Sequence, residues 1–567
     1  MNGAIRDHIL KSRYLQPGEK SFSDICSRVA SAIGKDEAER EQFLHMMEDL
    51  LFLPNSPALM NAGTRNPQLS ACFVIPVGPT IPEIFRALRE GAIIQVNDGG
   101  TGYSFSEIPP CGTPIKEGGG ISPGPVRIME IFDTATRVIR EGGRRRGANM
   151  GVLDIAHPDI LSFITAKKEE GVLENFNISV MIPDRYMQAL TEGSHDEILT
   201  IHPISGEVIS VREVFSAIVE GIHRNGEPGV LFADTINAAN PTPALGSMRA
   251  TNPCGEEPLL PYESCILGSI NLPLFLQNQS VAWDKLDEIT RLAVRFLDNA
   301  IDQTTHPLPE IAEATRRTRK IGLGVMGLHD TLLLAGIPYD SEEARTFAEE
   351  VMGFITATAI DESKCCAAEL GVFPAWEGSI WHEPIRNAAL TTIAPTGTIS
   401  LIAGVSPGIE PVYSFVSIRR HTAGREFEMI HPVFKRALDE EIARCGYTES
   451  AAEVKRREVI DHIRATGTLR NIDWLHHSFR RLYRSAGDIS PDDHLRMQAA
   501  FQRHTHAAIA KTINLRSDTI MDEITHAIIS AWTLGLKGVT CYRIGSRRDT
   551  VYRPHGCSVC GTYEPEE

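Results

Sequence analysis

Asn252-Pro253-Cys254-Gly255-Glu256 sets a carboxamide, a thiol and a carboxylate at alternate positions, with two turn-forming residues between them. In an extended loop alternate side chains share a face, so the three groups could converge on one point. There they could hold a diol, accept a proton and attack a neighbouring C–H bond or carbonyl. The same five residues also read as a Pro-Gly turn around a buried cysteine and a surface glutamate. The choice between the two rests on residues outside the pentapeptide.

Working outward, Cys265 opens the run Cys265-Ile266-Leu267-Gly268-Ser269-Ile270-Asn271-Leu272, and Cys72 lies in Ser70-Ala71-Cys72-Phe73-Val74-Ile75-Pro76. Both begin apolar, strand-like runs, and each taken singly is also a small core hydrophobe. Short apolar runs at 72–77, 266–272 and 390–393 alternate with amphipathic helical patterns at 126–140 and 292–304. That alternation predicts an α/β architecture rather than a helical bundle. Residues 1–53 read as a helical region, with Phe22, Ile25, Val29 and Ile33 at helical spacing. A catalytic domain is expected over 54–545, with a charged helical insertion near 446–491, and a flexible tail over 546–567. No internal repeat is visible.

Composition excludes several classes of function. The 567 residues carry 56 Lys and Arg against 73 Asp and Glu, a formal charge of -17. A broad nucleic-acid surface draws its affinity from clustered basic residues, so none is expected. The first residues show no signal-peptide core, and no window approaches the roughly 20 apolar residues of a membrane span. The cytoplasm is the expected compartment. Eleven cysteines without a targeting segment suggest reduced thiols rather than an extracellular disulfide framework, and no metal site is expected.

Three further segments carry chemistry. Pro395-Thr396-Gly397-Thr398-Ile399-Ser400 follows an apolar run, and a turn rich in Gly and hydroxyls presents backbone N–H groups to phosphate. It is equally a hydroxyl-capped helix start. Gly143-Arg144-Arg145-Arg146-Gly147 reads as a solvated basic turn or a nucleic-acid contact, and the acidic charge of the whole chain disfavours the latter. Cys557-Ser558-Val559-Cys560 is a C-x-x-C suited to thiol–disulfide exchange, with half of a zinc knuckle as the competing reading.

Taken together, these segments resemble the active site of ribonucleotide reductases, with Cys254, Cys265 and Cys72 in family order. Other stretches resemble the adenosylcobalamin-dependent, class II members: Pro54-Asn55-Ser56-Pro57-Ala58-Leu59-Met60-Asn61-Ala62-Gly63, Arg145-Arg146-Gly147-Ala148-Asn149-Met150-Gly151, Ala394-Pro395-Thr396-Gly397-Thr398-Ile399-Ser400 and Gly535-Leu536-Lys537-Gly538-Val539-Thr540. The resemblance implies a ten-stranded α/β barrel of two five-stranded parallel halves, with Cys254 on a central finger loop. It implies a Cys254 thiyl radical that abstracts the ribose 3′ hydrogen, Glu256 as general base, and Asn252 on the ribose hydroxyls. Cys72 and Cys265 would supply two electrons and end as a disulfide, and Cys557 and Cys560 would pass electrons from thioredoxin or a similar reductant. Ser56, Ala71, Gly255, Pro395, Thr396, Gly397, Thr398 and Ser400 are the implied contacts of a ribonucleotide, most simply a diphosphate. Arg144, Arg145, Arg146, Gly119 and Gly120 are the implied contacts of a deoxynucleotide effector, and the helix at 126–140 would pair across a homodimer.

Some family features are missing. Many relatives carry an acidic residue near the effector sugar where this chain reads Gly78-Pro79-Thr80, which weakens the effector reading. The chain starts too close to the barrel for the N-terminal ATP-binding cone of some relatives, so overall control by ATP and dATP is not expected. The tandem tyrosines that import a radical in class I are replaced by Cys541-Tyr542, Glu256 speaks against class III, and Gly561-Thr562-Tyr563 matches a glycyl-radical motif poorly. Adenosylcobalamin is then the expected radical source, although Asp461-His462 does not complete an Asp-x-His-x-x-Gly signature. Two alternatives stay open: a class I-type catalytic subunit served by a metal-containing partner, and an inactive nucleotide-binding regulator.

Overall fold

The computed structural model describes residues 3–115, 120–140, 147–194, 196–420 and 426–546. Gly119, Arg144, Arg145, Arg146, Cys557 and Cys560 lie outside the described residues.

Ten named strands form the main sheet: β1 (Phe52–Pro54), β2 (Cys72–Val74), β3 (Gly100–Ser104), β4 (Asn149–Asp154), β5 (Phe176–Ile182), β6 (Gly229–Phe232), β7 (Ser264–Asn271), β8 (Ile321–Met326), β9 (Thr512–Leu515) and β10 (Gly538–Arg543). Strands β2 to β6 lie side by side in chain order, all parallel. In the second half β7 runs parallel to β8, and β9 to β10. Thr391 bridges to Leu323 and Ile393 to Ile509, both in parallel, so residues 391–393 fill the gap between β8 and β9. The halves join antiparallel, β7 on β2 and β10 on β6.

The circuit closes as five strands plus five. Strand β1 is an addition, antiparallel to the far end of β7. The apolar run at 390–393 reads as a strand and serves as one, but it pairs only through isolated bridges.

Parallel neighbours need crossovers, and helices supply them. Ile81–Val96 links β2 to β3, Gly124–Arg140 precedes β4, and Trp283–Gln303 links β7 to β8. Strand side chains alternate between the inside and these helices. Val180, Ile182, Val230 and Phe232 pack outward into the helical layer. Met181 and Leu231 point inward with Met150 and Val152. The helix Phe22–Ile33 starts on a capping box between Ser21 and Asp24 and buries Phe22, Ile25, Val29 and Ile33. That face joins the core that also holds β1, β7 and β8.

A satellite unit sits beside the barrel. The ribbon Val416–Arg420 with Glu426–Ile430 leads into helices Pro432–Arg444, Glu449–Thr466 and His477–Leu482. Phe415, Phe434, Val459, Ile463 and Tyr483 form its own apolar cluster. Among the described residues no helix is long and apolar enough to cross a membrane.

Candidate active site

The pentapeptide is the tip of a ribbon that enters the barrel. Ala250–Thr251 pairs antiparallel with Pro258–Leu259, and Ala250 and Leu259 pack on the inward residues Val74, Met150, Val152, Met181 and Leu231. Strand β3 must be bare where the ribbon passes, because a Cβ at Gly102 would overlap the Thr251 carbonyl. Both halves of the barrel then pin the tip. Asn177 Nδ2 on β5 donates to the Pro253 carbonyl at 2.9 Å. From the other half, Ala508 N and Thr392 Oγ1 donate to the Glu256 carbonyl at 2.8 and 3.0 Å.

At the tip the backbone turns instead of running extended. Gly255 N donates to the Asn252 carbonyl at 3.1 Å, and Gly255 sits at φ +85°, a left-handed position that favours glycine. Asn252, Cys254 and Glu256 therefore do not follow the alternation of an extended strand. What results is the reverse of the plain-turn reading: Cys254 is exposed, while Asn252 and Glu256 are each only 2% exposed.

Cys72 and Cys265 stand directly opposite each other across β2 and β7. Directly opposed antiparallel residues hold their Cβ atoms about 4.5–5.5 Å apart, close to the roughly 3.5–4.5 Å of a disulfide. Asn252 ties this pair to the finger. Its Nδ2 donates to Cys72 Sγ at 3.0 Å, and its Oδ1 accepts from Glu257 N at 3.0 Å. The expected partner of Asn252 was the ribose, and one of its two amide hydrogens is still available for that.

The surroundings hold ionisable groups that motif reading missed. Glu257 is buried beside Cys265 and Thr392; burial, and then the neighbouring Glu256 carboxylate, push its carboxyl up to about 8. Burial and Glu257 hold the Cys265 thiol well above its ordinary range. Lys320 Nζ pairs with Glu263 Oε2 at 2.6 Å, both residues 2% exposed. Lys537 donates to the carbonyls of His506 and Ala507, and burial pulls its ammonium down to about 8. Two signals were available: the Glu256-Glu257 doublet runs straight into Pro258-Leu259-Leu260, and Lys537 lies inside Gly535-Leu536-Lys537-Gly538-Val539-Thr540.

The candidate phosphate residues flank the cysteines from one side. Ala71, Cys72, Cys265, Leu267 and Ala394 form one small cluster. Asn55 N donates to the Leu267 carbonyl at 2.8 Å, which sets Ser56 next to it at the start of the helix Ser56–Asn61; Ser56 Oγ is 2.7 Å from Tyr14 Oη. On the other side Pro395 follows Ala394, and Thr396 takes φ +54° with its Oγ1 accepting from Gly408 N at 2.7 Å. A hydroxyl residue in that region is uncommon and marks a constrained turn. Gly397 and Thr398 lead from it into the helix Ile399–Ala403, where Ser400 is buried. Among the described residues, no group accepts from the Gly397 or Thr398 N–H.

Of the effector candidates, only Gly120 is described. It is exposed, and its carbonyl accepts from Ile115 N at 2.8 Å, beside a bridge between Pro114 and Ile121. Thr80 caps the helix Ile81–Val96 in a capping box with Glu83, so the first carboxylate of this segment is spent on the helix start.

Family models match this chain over nearly its full length: the ribonucleotide reductase barrel domain over residues 70–385 and 380–542, and the ribonucleotide reductase all-alpha domain over residues 6–67. The chain belongs to the ribonucleotide reductase large-subunit family. A vitamin B12-dependent ribonucleoside-diphosphate reductase of Mycobacterium tuberculosis is 42% identical over 563 residues, covering 96% of this chain and 79% of the relative. One of Thermoplasma acidophilum is 42% identical over 535 residues, covering 93% and 67%. Among solved structures, a class Id ribonucleotide reductase alpha subunit of Actinobacillus ureae superposes with a TM-score of 0.78 over 95% of this chain and 96% of that one. At 23% identity this last likeness supports the fold alone. Within the reductase fold, the finger and the β2–β7 pair are where sequence motif and geometry coincide.

Proposed function

We propose that the chain reduces ribonucleoside diphosphates to 2′-deoxyribonucleotides by thiyl-radical chemistry, with adenosylcobalamin as cofactor. The observation that carries the reading is two thiols in register across β2 and β7, tied through Asn252 to a finger tip that presents Cys254. The names of the 42% identical relatives support the cofactor and the diphosphate.

The finger tip suits such a cofactor. Cys254 is exposed between the buried Asn252 and Glu256, and a Cβ at Gly255 would meet nothing within 4 Å. Cys254 and Gly255 are the residues it would lie against. When bound, adenosylcobalamin supplies one-electron chemistry through its cobalt–carbon bond.

The side chains divide the remaining work. Cys254, as a thiyl radical, takes the hydrogen of ribose C3′, and Glu256 accepts the 3′-hydroxyl proton. Asn252 orients the ribose hydroxyls. Cys72 protonates the departing 2′-hydroxyl, which leaves as water. The Cys72 and Cys265 pair gives up two electrons on becoming a disulfide, and its second hydrogen ends on C2′. Cys254 then returns its hydrogen to C3′, and Glu256 returns the proton to O3′. Ser56 and the turn from Pro395 to Ser400 hold the diphosphate, with the Gly397 and Thr398 N–H groups aimed at it, while Ala71 and Gly255 line the sugar.

Turnover of cytidine diphosphate with dithiothreitol tests this reading: product should form only when adenosylcobalamin is added. Product formation independent of the cofactor would point to another radical source.

Continued turnover needs the disulfide reduced again, and Cys557 with Cys560 is the relay assigned to this step, served by thioredoxin or a similar protein. Cys557→Ser with Cys560→Ser should keep activity with dithiothreitol and lose at least about tenfold with thioredoxin, by the exchange logic of a dithiol pair. Equal rates with both reductants would remove the relay. The reaction is placed in the cytoplasm, where thiols stay reduced.

Gly119, Gly120 and Arg144 to Arg146 are assigned to a deoxynucleotide effector. Homodimer formation is assigned to the face shared by the helices Ile81–Val96 and Gly124–Arg140, where Phe85, Ile131 and Val138 are exposed. Phe85→Glu with Val138→Glu should convert a dimer to a monomer in sedimentation velocity, because charges are excluded from apolar interface centres. An undisturbed dimer would assign another face.

A further inference from the structure

Glu257 is not used by the steps above, yet it is a carboxyl buried beside a reacting sulfur. It is 2% exposed and lies beside the Cys265 thiol, whose sulfur also faces the Ile266 and Lys320 carbonyls at 3.8 Å. Its Oε1 has no hydrogen-bond partner among the described residues. A buried carboxyl with an unused oxygen is costly when ionised and much less so when protonated. The finger holds it in place, since Glu257 N and O bond Asn252 Oδ1 and N.

We propose that Glu257 is the general acid of disulfide re-reduction: its proton is delivered to Cys265 Sγ when an external dithiol opens the Cys72–Cys265 disulfide. This rests on the reading that these two cysteines form the disulfide. Cys72 is 3% exposed and Cys265 0%, so the entering thiolate attacks Cys72 Sγ. The S–S bond breaks, and its electron pair leaves on Cys265 Sγ, which takes the Glu257 proton. The second thiol of the reductant loses its proton to solvent and displaces Cys72, which is protonated from solvent. Glu257 recovers a proton the same way. One disulfide is reduced, one dithiol is oxidised, and the protons balance.

The groups that face Glu257 set the pH range. Burial and then Glu256 on the finger favour the protonated form, while Thr392, Lys320 before β8, Cys265 on β7 and Lys537 before β10 oppose it. The net result is a carboxyl that is protonated at neutral pH and loses its proton near pH 8.

The test begins with wild-type protein after one turnover, alkylated and mapped by peptide mass spectrometry. If Cys72 and Cys265 are not joined, the underlying reading fails before Glu257 is addressed. If they are, wild type and Glu257→Gln are oxidised with diamide and re-reduced with dithiothreitol from about pH 6 to about pH 9. The wild type should be faster by about 100-fold below pH 8, the scale of general-acid catalysis, and the ratio should fall toward unity above it. A ratio that is near one, or independent of pH, overturns the proposal. Should the glutamine variant not fold, infrared difference spectra of the wild type decide. A protonated-carboxyl band that shifts between dithiol and disulfide forms below pH 8 supports the proposal, and absence of such a band overturns it.

Discussion

Cys254→Ala should reduce deoxynucleotide formation by on the order of 10⁶-fold, the scale observed when a covalent catalytic group is removed, and leave nucleotide binding within about twofold. The two halves of that expectation have separate grounds. Cys254 is exposed at a tip whose position is fixed by other atoms: the Pro253 carbonyl held by Asn177, the Glu256 carbonyl held by Thr392 and Ala508, and the Asn252 side chain held by Glu257 N. Each of these bonds is made by backbone or by a neighbouring side chain, and truncation of Cys254 to alanine keeps every one of them. Substrate contacts assigned to Ser56 and the Thr396 turn are equally untouched. A variant that binds nucleotide but retains more than about a thousandth of the activity would mean that another group carries the radical.

Lys320→Met should destabilise the fold by about 3–5 kcal/mol, the typical cost of removing one partner from a buried ion pair. Lys320 and Glu263 are each 2% exposed, and their contact is 2.6 Å. Without the ammonium, Glu263 keeps only the Leu260 N–H at 2.7 Å on Oε2, and its Oε1 has no hydrogen-bond partner among the described residues. The damage reaches the site, because Cys265 Sγ lies 3.8 Å from the Lys320 carbonyl and Glu263 immediately precedes β7. Adding Glu263→Leu should recover most of the loss, since replacing both partners leaves no buried charge. Urea unfolding midpoints of the single and double variants measure this. A single variant within about 1 kcal/mol of wild type would show that water or a neighbour already compensates Glu263.

How much of this was legible beforehand differs from element to element. The cysteines at 72 and 265 were visible because each opens an apolar run, and strand register then set them opposite each other. The N-terminal helix was legible from Phe22, Ile25, Val29 and Ile33 because one buried face imposes the helical period. The finger was not. Its alternate-face reading assumed extended backbone, and a single left-handed glycine, Gly255, turned Cys254 out and left Asn252 and Glu256 buried. Glu257, Glu263, Lys320 and Lys537 escaped notice because charged residues are ordinarily solvated. Their burial follows from strands that converge from far apart in the chain, with the run from Glu257 into Pro258-Leu259-Leu260 and the motif around Lys537 as the local signals. Residues 390–393 kept their strand character but pair only through isolated bridges, with Thr392 turning its hydroxyl to the finger.

The central claim is that one ribonucleotide is reduced at the expense of Cys72 and Cys265. Its most direct test is a single turnover of the Cys557→Ser, Cys560→Ser variant, pre-reduced, freed of external thiol, and given cytidine diphosphate and adenosylcobalamin. The account predicts one deoxynucleotide for each peptide pair joined through Cys72 and Cys265. Deoxynucleotide formed while both cysteines remain open to alkylation would contradict it.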